Sequence, residues 1–381
     1  MPNRLILSLQ FLLICVVVFV KLHDNAAYFL TPDSHYYLQA AQSLLDGKGY
    51  HIVYEGKDTF CAIWPVGYGA LIAFVTFITN FSLEISSKIL NLTALAGCFW
   101  LVYQRFGERA WFVSLAFMSS TLIQLYSNTW SETIFLFFVI GFATPHLSDP
   151  FSGKRKAETS FLWVIGAFLM RYAAVFLVIP MLFQKQFRAV AYFLLFIIGY
   201  LLLNYTQTQT FTGGHGFWPN EPFVERLGRG LKGSGEELLF FGVRDWDLKS
   251  GDLSDITKWL IYSIAGVQFL LIGLIGWRIM RFLGTYSTTK QWILDSSFVG
   301  MTKGGTTNYF LVAGCYFVFT LFVYFTDASI ENLYFRRLAP ASLLFTLGIL
   351  GWVSSQKEIF AQTKWLFIAF FALSLIHAVP K

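Results

Sequence analysis

The sequence predicts an all-α polytopic membrane protein of roughly 10–12 transmembrane helices, with a short surface helix in its first outer loop. Of the 381 residues, 56% are hydrophobic and only 13% are charged, whereas a soluble globular protein carries about 25% charged residues. Aromatic residues reach 19%, and phenylalanine alone occurs 42 times, which suits lipid-facing and interfacial positions. Most of the surface is therefore expected to face lipid.

Apolar segments long enough to cross a membrane follow one another along the whole chain. They lie near 4–22, 64–80, 86–104, 110–127, 130–147, 161–183, 188–205, 259–283, 306–326, 335–353 and 365–379. The first has no small-residue cleavage site behind it, so it is predicted to be a retained span with its N-terminus in the cytoplasm. Because no soluble domain or glycine-rich nucleotide unit interrupts the series, residues 1–381 are predicted to form a single transmembrane domain.

Basic residues predict the sidedness of these segments. The net charge of +6 does not indicate nucleic-acid binding, because the Lys and Arg residues are scattered in short loops, where they set topology. The basic stretches 153–156 and 184–188 should both be cytoplasmic, so segment 161–183 should enter and leave on one side. Two half-helices that meet near Arg171 satisfy this, provided that they line a protein cavity. If 24–61 is outside and 148–158 is inside, the four segments between 64 and 147 cannot all cross, because four crossings would end on the side where they began. The sequence leaves open which of them does not cross.

Two regions are then predicted to lie outside, namely 24–61 and 206–258. The second has six Lys/Arg and eight Asp/Glu and begins with the Gly/Pro-rich "TGGHGFWPNEP". It contains His215, a lone loop histidine, which is either a substrate ligand or, as is commoner for such residues, without function. The four cysteines, Cys15, Cys61, Cys98 and Cys315, are far apart and show neither a disulfide framework nor metal-ligand spacing.

The first outer loop contains the stretch "LTPDSHYYLQAAQSLLDGKGY". Thr31 can cap a helix that has Pro32 at its first position, and glycines at 47 and 49 can end it. Its apolar side, Tyr36, Tyr37, Ala40, Ala41, Leu44 and Leu45, has 3–4 spacing and should lie on the membrane surface or on the bundle. Asp33 then projects from the first turn, on the same side as Tyr37. Either it merely complements the helix dipole, at about 0.3–1 kcal/mol, or it takes part in chemistry.

Two further charged residues lie within apolar runs. Glu132 opens such a run in "SNTWSETIFLFF" and is either an exposed helix N-terminal acid or an acid that faces a cavity. Arg171 lies in the middle of "GAFLMRYAAVFLVIP", and an intramembrane arginine is by default a functional hypothesis. The alternative for Arg171 is a structural ion pair, with Glu132 as the candidate partner.

Arg336 and Arg337, in "ENLYFRRLAPASLLF", begin a span on the outer side, against the usual topology bias. A bound anion would explain them, because a guanidinium matches phosphate oxygens bidentately. The alternative is that both side chains reach the membrane interface without a ligand. Together, an outer carboxylate and several guanidiniums suit a lipid-linked phosphate substrate and a general base. Since no nucleotide fold is present, the leaving group would be a polyprenyl phosphate.

The order of these motifs resembles that of the GT-C class of polytopic glycosyltransferases, in the branch of protein O-mannosyltransferases, the lipid A aminoarabinose transferase and Rgt-like core transferases. The pattern is carried by "PDSHYYLQAAQSLLDGKGY", "WPVGYGAL", "SETIF", "LMRYAAV" and "RRLAP", in that order, over residues 31–342. Two positions depart from it. Val66 stands where the class has a second proline, and Arg337 stands where it has an aromatic residue, which bears on the donor site.

The resemblance implies a role for each matching residue. Asp33 would be the catalytic acid that deprotonates an acceptor hydroxyl, and the attack would invert the anomeric configuration. The donor phosphate would be held by Arg171, Arg336 and Arg337. Substrate-binding or supporting roles would fall to Tyr36, Tyr37, Glu132, Tyr172 and His215. No cofactor is expected, although some members of this class use a divalent ion and that alternative stays open.

The partners expected are a polyprenyl-phosphate-linked sugar, a glycan, lipid or protein acceptor and the lipid bilayer, but no nucleic acid. The expected location is a bacterial inner membrane, with the active site facing the periplasm. A transporter or flippase of lipid-linked glycans is a rival interpretation, because it would need the same arginines and cavity. A glycan polymerase is a third, which differs mainly in its acceptor.

Overall fold

A computed structural model of the chain describes residues 2–24, 29–144, 155–213, 222–238, 255–287, 306–326 and 335–378. The described residues form α-helices and one two-stranded antiparallel sheet. The α-helices are α1 (Pro2–Asp24), α2 (Pro32–Leu45), α3 (Val66–Thr79), α4 (Leu83–Phe106), α5 (Ala110–Val113), α6 (Ser120–Ser127), α7 (Glu132–Ala143), α8 (Arg155–Met170), α9 (Val178–Phe183), α10 (Phe187–Thr208), α11 (Phe223–Leu238), α12 (Asp255–Ser287), α13 (Thr306–Thr326), α14 (Phe335–Ser355) and α15 (Lys357–Ala378). The strands are β1 (His51–Tyr54) and β2 (Lys57–Phe60). The predicted all-α polytopic membrane fold is confirmed.

Among the described residues, seven helical stretches are long and apolar enough to cross a membrane. They are Asn3–His23, Leu83–Met118, Phe187–Thr208, Trp259–Gly284, Thr306–Thr326, Arg336–Ser355 and Lys357–Ala378. Shorter apolar helices cover Val66–Thr79, Glu132–Ala143, Ser160–Met170 and Tyr172–Phe183. The predicted segments are therefore helical, but several are too short to span a bilayer on their own. The largest buried apolar cluster draws residues from Leu7 to Ala378, so the helices pack around a common core.

Contacts between helix ends define two sides of the bundle. At one side, Arg4 Nε near the start of α1 donates to Tyr103 Oη near the end of α4, at 2.9 Å. At the other, Lys21 Nζ near the end of α1 donates to the carbonyl of Ala378, at 3.0 Å. The second side is called the Asp33 side below, because α2 follows α1 there.

The segment around Arg171 is the broken helix that the sequence predicted. Helix α8 ends at Met170, Arg171 is extended at φ −152° and ψ 133°, and a 3-10 helix from Tyr172 to Leu177 leads into α9. Helix α10 runs parallel to α8, because successive residues of the two helices form ring pairs, as Phe168 does with Phe193. The segment 155–183 thus enters and leaves on the side opposite Asp33, in agreement with the charge pattern.

Helix α3 is the segment between 64 and 147 that does not cross. Its Tyr68 hydroxyl donates to Asn91 Oδ1 at 3.3 Å, and Thr76 Oγ1 donates to Ser86 Oγ at 2.8 Å. Both partners lie in the first turns of α4, so α3 runs back along the start of α4 and stays on the Asp33 side.

With α3 on the Asp33 side, the remaining crossings close. Lys88 of α4 donates to the carbonyl of Ser127 at 2.6 Å, so the stretch that ends with α6 returns to the level of the first turns of α4. Helix α7 then leads away again, and Thr144, which follows it, shares a 2.8 Å hydrogen bond with Tyr309. The ring of Tyr309 stacks on Phe106 at the far end of α4.

A β-hairpin occupies the middle of the first loop, where the sequence analysis had placed only a surface helix. Strands β1 and β2 pair with His51 opposite Phe60 and Tyr54 opposite Lys57. The two turn residues, Glu55 and Gly56, have φ of 50° and 76°, as a two-residue turn that follows the strand twist requires. The hairpin has its own small core, which includes Tyr50, Ile52 and Cys61, and it packs on α2.

Candidate active site

The predicted surface helix α2 is present and presents Asp33 to the bundle. Thr31 is its N-cap and forms a capping box with Ser34, and Pro32 is its first residue. Tyr37, Ala40 and Ala41 are buried, in agreement with the predicted apolar face. The helix dipole alone does not account for Asp33, because its carboxylate accepts a hydrogen bond from Arg336, far along the chain.

Four charged side chains meet on the Asp33 side. Arg336 donates through Nη1 to Asp33 Oδ2 and through Nε to Glu132 Oε1, and Arg171 forms an ion pair with the same oxygen of Glu132. The structure thus brings together residues from α2, α7, the break after α8, and α14. Two formal negative charges balance two positive ones within this cluster, so the site is neutral before Arg337 is considered.

Exposure differs sharply across the cluster. The Glu132 side chain retains 1% exposure, whereas Arg171 retains 15%, Arg336 17% and Asp33 27%. Glu132 is therefore a buried anchor, and Asp33 is the member that a ligand reaches most readily. The interpretation of Glu132 as an exposed helix N-terminal acid is wrong, because it is buried and paired with two guanidiniums.

Apart from Arg171 Nη1, which is ion-paired with Glu132, two atoms of the cluster have unused hydrogen-bonding capacity. Among the described residues, buried Arg336 Nη2 has no hydrogen-bond acceptor and buried Glu132 Oε2 has no donor. Buried polar atoms in native proteins are rarely left in this state. A ligand with an anionic oxygen beside a hydroxyl would satisfy both atoms.

Trp130 connects three parts of the site, although the sequence analysis gave it no role. Its ring lies 4.4 Å from the Arg336 guanidinium carbon, a cation–π geometry. Its Nε1 donates to Thr31 Oγ1 at 2.8 Å, at the cap of the helix that carries Asp33. The signal available in the sequence was its position two residues before Glu132.

The loop before α7 is fixed by a set of buried hydrogen bonds. Ser34 Oγ donates to the Thr129 carbonyl at 3.1 Å, and Lys88 Nζ donates to Thr129 Oγ1 at 2.9 Å. Tyr37 shares a 3.0 Å hydrogen bond with Ser131. Burial, with the Glu132 carboxylate nearby, raises the pKa of the Tyr37 phenol, which therefore stays protonated. Because these hydrogen bonds join α2 to the loop before α7, they fix the position of Asp33 relative to Glu132.

The other predicted site residues take different places. Tyr172 follows Arg171 but points away from the charged cluster, since its hydroxyl donates to the Ala62 carbonyl at 2.9 Å and accepts from Asn204 Nδ2 at 2.8 Å. Tyr36 lies beside Tyr54 of the hairpin. Arg337 is the third residue of α14 and directly follows Arg336. His215 lies outside the described residues.

A second buried carboxylate lies within the bundle on α11. Glu237 is 4% exposed and accepts a hydrogen bond from Thr121 Oγ1 at 3.2 Å and another from Ser342 Oγ. It thereby fastens α11, from the second predicted outer region, to α6 and α14. Among the described residues, no group of three or more His, Cys, Asp or Glu side chains is placed to hold a metal ion, and metal independence stays a prediction.

Two solved structures are similar to the chain. Both are crystal structures of ArnT from Cupriavidus metallidurans, one bound to undecaprenyl phosphate and one in the apo state. The first is 15% identical with a TM-score of 0.47, and the second is 14% identical with a TM-score of 0.43. In each case the match covers 91% of this chain and 59% of the other.

At these identities and TM-scores, the resemblance to the GT-C class that the motifs imply stays a prediction. No family model matches the chain, and no curated protein matches it.

Proposed function

We propose that the chain is an integral membrane glycosyltransferase that moves a sugar from a polyprenyl-phosphate donor to an acceptor hydroxyl, with inversion and with Asp33 as the general base. The observation that carries the proposal is the contact of Arg336 with both Asp33 and Glu132. A transferase of this kind needs a base next to a phosphate-binding cation, and the contact of Arg336 with Asp33 supports these two roles.

The chemistry follows from the groups present. The Asp33 carboxylate takes the proton of the acceptor hydroxyl, and the acceptor oxygen attacks the anomeric carbon from the face opposite the phosphate. The bond between that carbon and the phosphate oxygen breaks, and polyprenyl phosphate leaves with the bonding electrons. One displacement at the anomeric carbon inverts its configuration and needs no covalent intermediate on the enzyme.

Arginine side chains would stabilise the negative charge that grows on the leaving phosphate. Arg336 offers the buried Nη2 for this, since that atom has no acceptor among the described residues. Arg171 is held at the same depth by Glu132, and Arg337 is proposed to extend the donor site toward the membrane surface. Glu132 would order both arginines, Tyr37 would fix α2, and Tyr172 would support the break beside Arg171.

Location at the membrane surface suits both substrates. The lipid tail of the donor stays among the apolar helices, and the acceptor approaches from the aqueous side past α2 and the hairpin. We propose that this side is the periplasmic side of a bacterial inner membrane, because the basic stretches 153–156 and 184–188 belong to the opposite side.

One observation favours a second candidate, a transporter or flippase of lipid-linked glycans. Discontinuous helices are a feature of transporter binding sites, and the segment 155–183 is broken at Arg171. A transporter would use the same arginines for the phosphate but would need no base at Asp33.

The test is a paired measurement on purified protein in nanodiscs. Wild type and Asp33→Asn are compared for binding of an undecaprenyl-phosphate-linked sugar and for release of undecaprenyl phosphate when candidate acceptors are added. The substitution should lower the rate of undecaprenyl phosphate release by about a thousandfold, while the affinity for the donor changes little. Asp46→Asn, on an exposed acid just after α2, is the matched control and should behave as wild type.

Equal release by wild type and Asp33→Asn would remove Asp33 from the mechanism. Donor binding without release, across glycan, lipid and peptide acceptors, would favour the transporter instead.

A further inference from the structure

Two half-buried tyrosines face each other where the β-hairpin meets α2. The ring centroids of Tyr36 and Tyr54 are 6.1 Å apart, with the ring planes inclined at 49°. Within the part of the chain that the structure describes, neither phenol hydroxyl has a hydrogen-bond partner. Each side chain thus offers an apolar ring together with an unused polar group.

The pair lies next to the proposed base. Asp33 and Tyr36 are three residues apart on α2, so their Cβ atoms are about 5–6 Å from each other. At about 100° per residue, Asp33 projects between Tyr36 and Tyr37. Tyr37 is fully buried against the bundle, whereas Tyr36 turns toward the hairpin. Asp33 therefore stands at the boundary between the charged cluster and the tyrosine pair.

The hairpin holds Tyr54 in place. Beyond its own strand pairing, the amide of Val53 donates to Gln39 Oε1 on α2 at 3.2 Å. Tyr50, just before β1, donates from its hydroxyl to the Pro65 carbonyl at 3.1 Å. Because these hydrogen bonds join the hairpin both to α2 and to the start of α3, the distance between the two rings is fixed by contacts outside the rings themselves.

The charge of the hairpin argues for a neutral polar ligand. Glu55, Lys57 and Asp58 are exposed at its tip, and His51 lies 3.3 Å from Asp58. One lysine against two acids gives no strong field of either sign. These exposed charges also keep the tip in water, so the tyrosine pair faces the aqueous side.

We propose that Tyr36 and Tyr54 form an acceptor subsite that takes a sugar ring, so that the acceptor is a glycan. A pyranose has an apolar face of C–H groups and a rim of hydroxyls, which match an aromatic ring and a phenol hydroxyl respectively. A sugar held there presents one hydroxyl toward Asp33. The inference rests on the proposed transferase function and names the class of its acceptor.

The experiment is saturation-transfer NMR on the full chain in nanodiscs, free of glycoside detergents. The probes are methyl α-D-glucoside, methyl α-D-mannoside and methyl β-D-galactoside, with N-acetylserinamide as a non-sugar hydroxyl probe. At least one glycoside should receive saturation from wild type, and Tyr36→Ala or Tyr54→Ala should reduce the transfer about tenfold, as the loss of one stacking contact predicts. Tyr54→Phe keeps the ring and should retain part of the signal.

Tyr205→Ala is the matched control. Tyr205 is 42% exposed and stacks on Phe211 at 5.0 Å, but it lies at the end of α10, outside the hairpin. It should leave glycoside saturation unchanged. Retained donor binding by each variant shows that it is folded.

The proposal is overturned if no glycoside receives saturation, if N-acetylserinamide receives as much, or if the Tyr36 and Tyr54 variants behave as Tyr205→Ala does. Asp33→Asn separates this inference from the proposed function. It should keep the glycoside signal. If the signal is kept but turnover does not depend on Asp33, the proposed mechanism is contradicted and the proposed subsite is not.

Discussion

Glu132 is the residue on which the geometry of the charged cluster depends. One of its oxygens contacts both Arg336 and Arg171, and its side chain is 1% exposed. Removing one partner from a buried ion pair leaves an uncompensated charge, at a cost of about 3–5 kcal/mol. Here a single change would leave two guanidiniums short of a carboxylate.

Glu132→Gln should therefore lower the midpoint of thermal denaturation markedly, and it should also weaken donor binding because Arg171 and Arg336 lose their common anchor. Thermal denaturation in nanodiscs and a donor-binding titration measure the two effects. Glu84→Gln, at the exposed first turn of α4, is the control and should change neither. A variant with wild-type denaturation and binding would show that Glu132 does not organise the arginines.

At this scale the sequence predicted the members of the cluster better than their contacts. An acid and an arginine inside apolar runs are costly, so Glu132 and Arg171 could be identified, and their pairing was one of the alternatives considered. The sequence did not predict that Arg336 contacts both acids, because that contact joins residues about 200 and 300 positions apart. Trp130 was missed because an aromatic residue in an aromatic-rich chain carries no signal of its own.

Among the helices, the contact of α3 with α8 positions the break at Arg171. A Cβ atom on Gly67 would lie 2.2 Å from Met170 Cε and 2.6 Å from the Leu169 carbonyl oxygen. The Leu169 carbonyl oxygen belongs to the backbone and cannot move away by a change of side-chain rotamer. Glycine at 67 therefore permits the first turn of α3 to touch the last turn of α8, directly before Arg171.

Gly67→Ala should destabilise the protein by about 1–3 kcal/mol through overpacking and should reduce donor binding by displacing Arg171. Gly199→Ala, on α10 with no atom within 4 Å of the added Cβ, should be neutral or slightly stabilising. Thermal denaturation and donor titration of the two variants side by side provide the measurement. Equal behaviour of the pair would contradict the role given to the close approach.

The broken helix was predictable because two independent signals, loop charge and an intramembrane arginine, required it. The hairpin was not, although "HIVYEGKDTF" contains two short runs around a turn that ends in glycine. Its strands are four residues each, too short for periodicity to distinguish them from loop. The 3-10 helix at Ser114–Met118, within the predicted segment 110–127, likewise depends on packing that the sequence does not display.

For the whole molecule, the position of α3 decides the membrane topology. Since α3 stays on the Asp33 side, the loop after it lies on the same side as the end of α2. Charge counting left this open because α3 is as apolar as the crossing helices.

In a variant without the native cysteines, single cysteines replacing Asp46 and Asn80 should react with a membrane-impermeant maleimide from one side of sealed vesicles. Single cysteines replacing Glu108 and Lys185 should react only from the opposite side. The chain crosses the membrane between Asn80 and Glu108, and the segment broken at Arg171 begins and ends on the side of Glu108. Labelling of position 80 together with positions 108 and 185 would show that α3 crosses.

The residues of the charged cluster are far apart in the sequence, and this separation has a consequence for biosynthesis. Asp33, Glu132 and Arg171 belong to the first half of the chain and Arg336 to the second to last helix described, so most of the protein must be synthesised before the last cation arrives. Domains generally fold N-terminal first during synthesis, and until α14 is made, Glu132 is paired with Arg171 alone and Asp33 lacks its contact with Arg336. We therefore expect the Asp33 carboxylate to stay in contact with water until α14 inserts. Insertion of α14 thus completes the charged cluster, so a chain truncated before α14 would lack Arg336 as well as a helix.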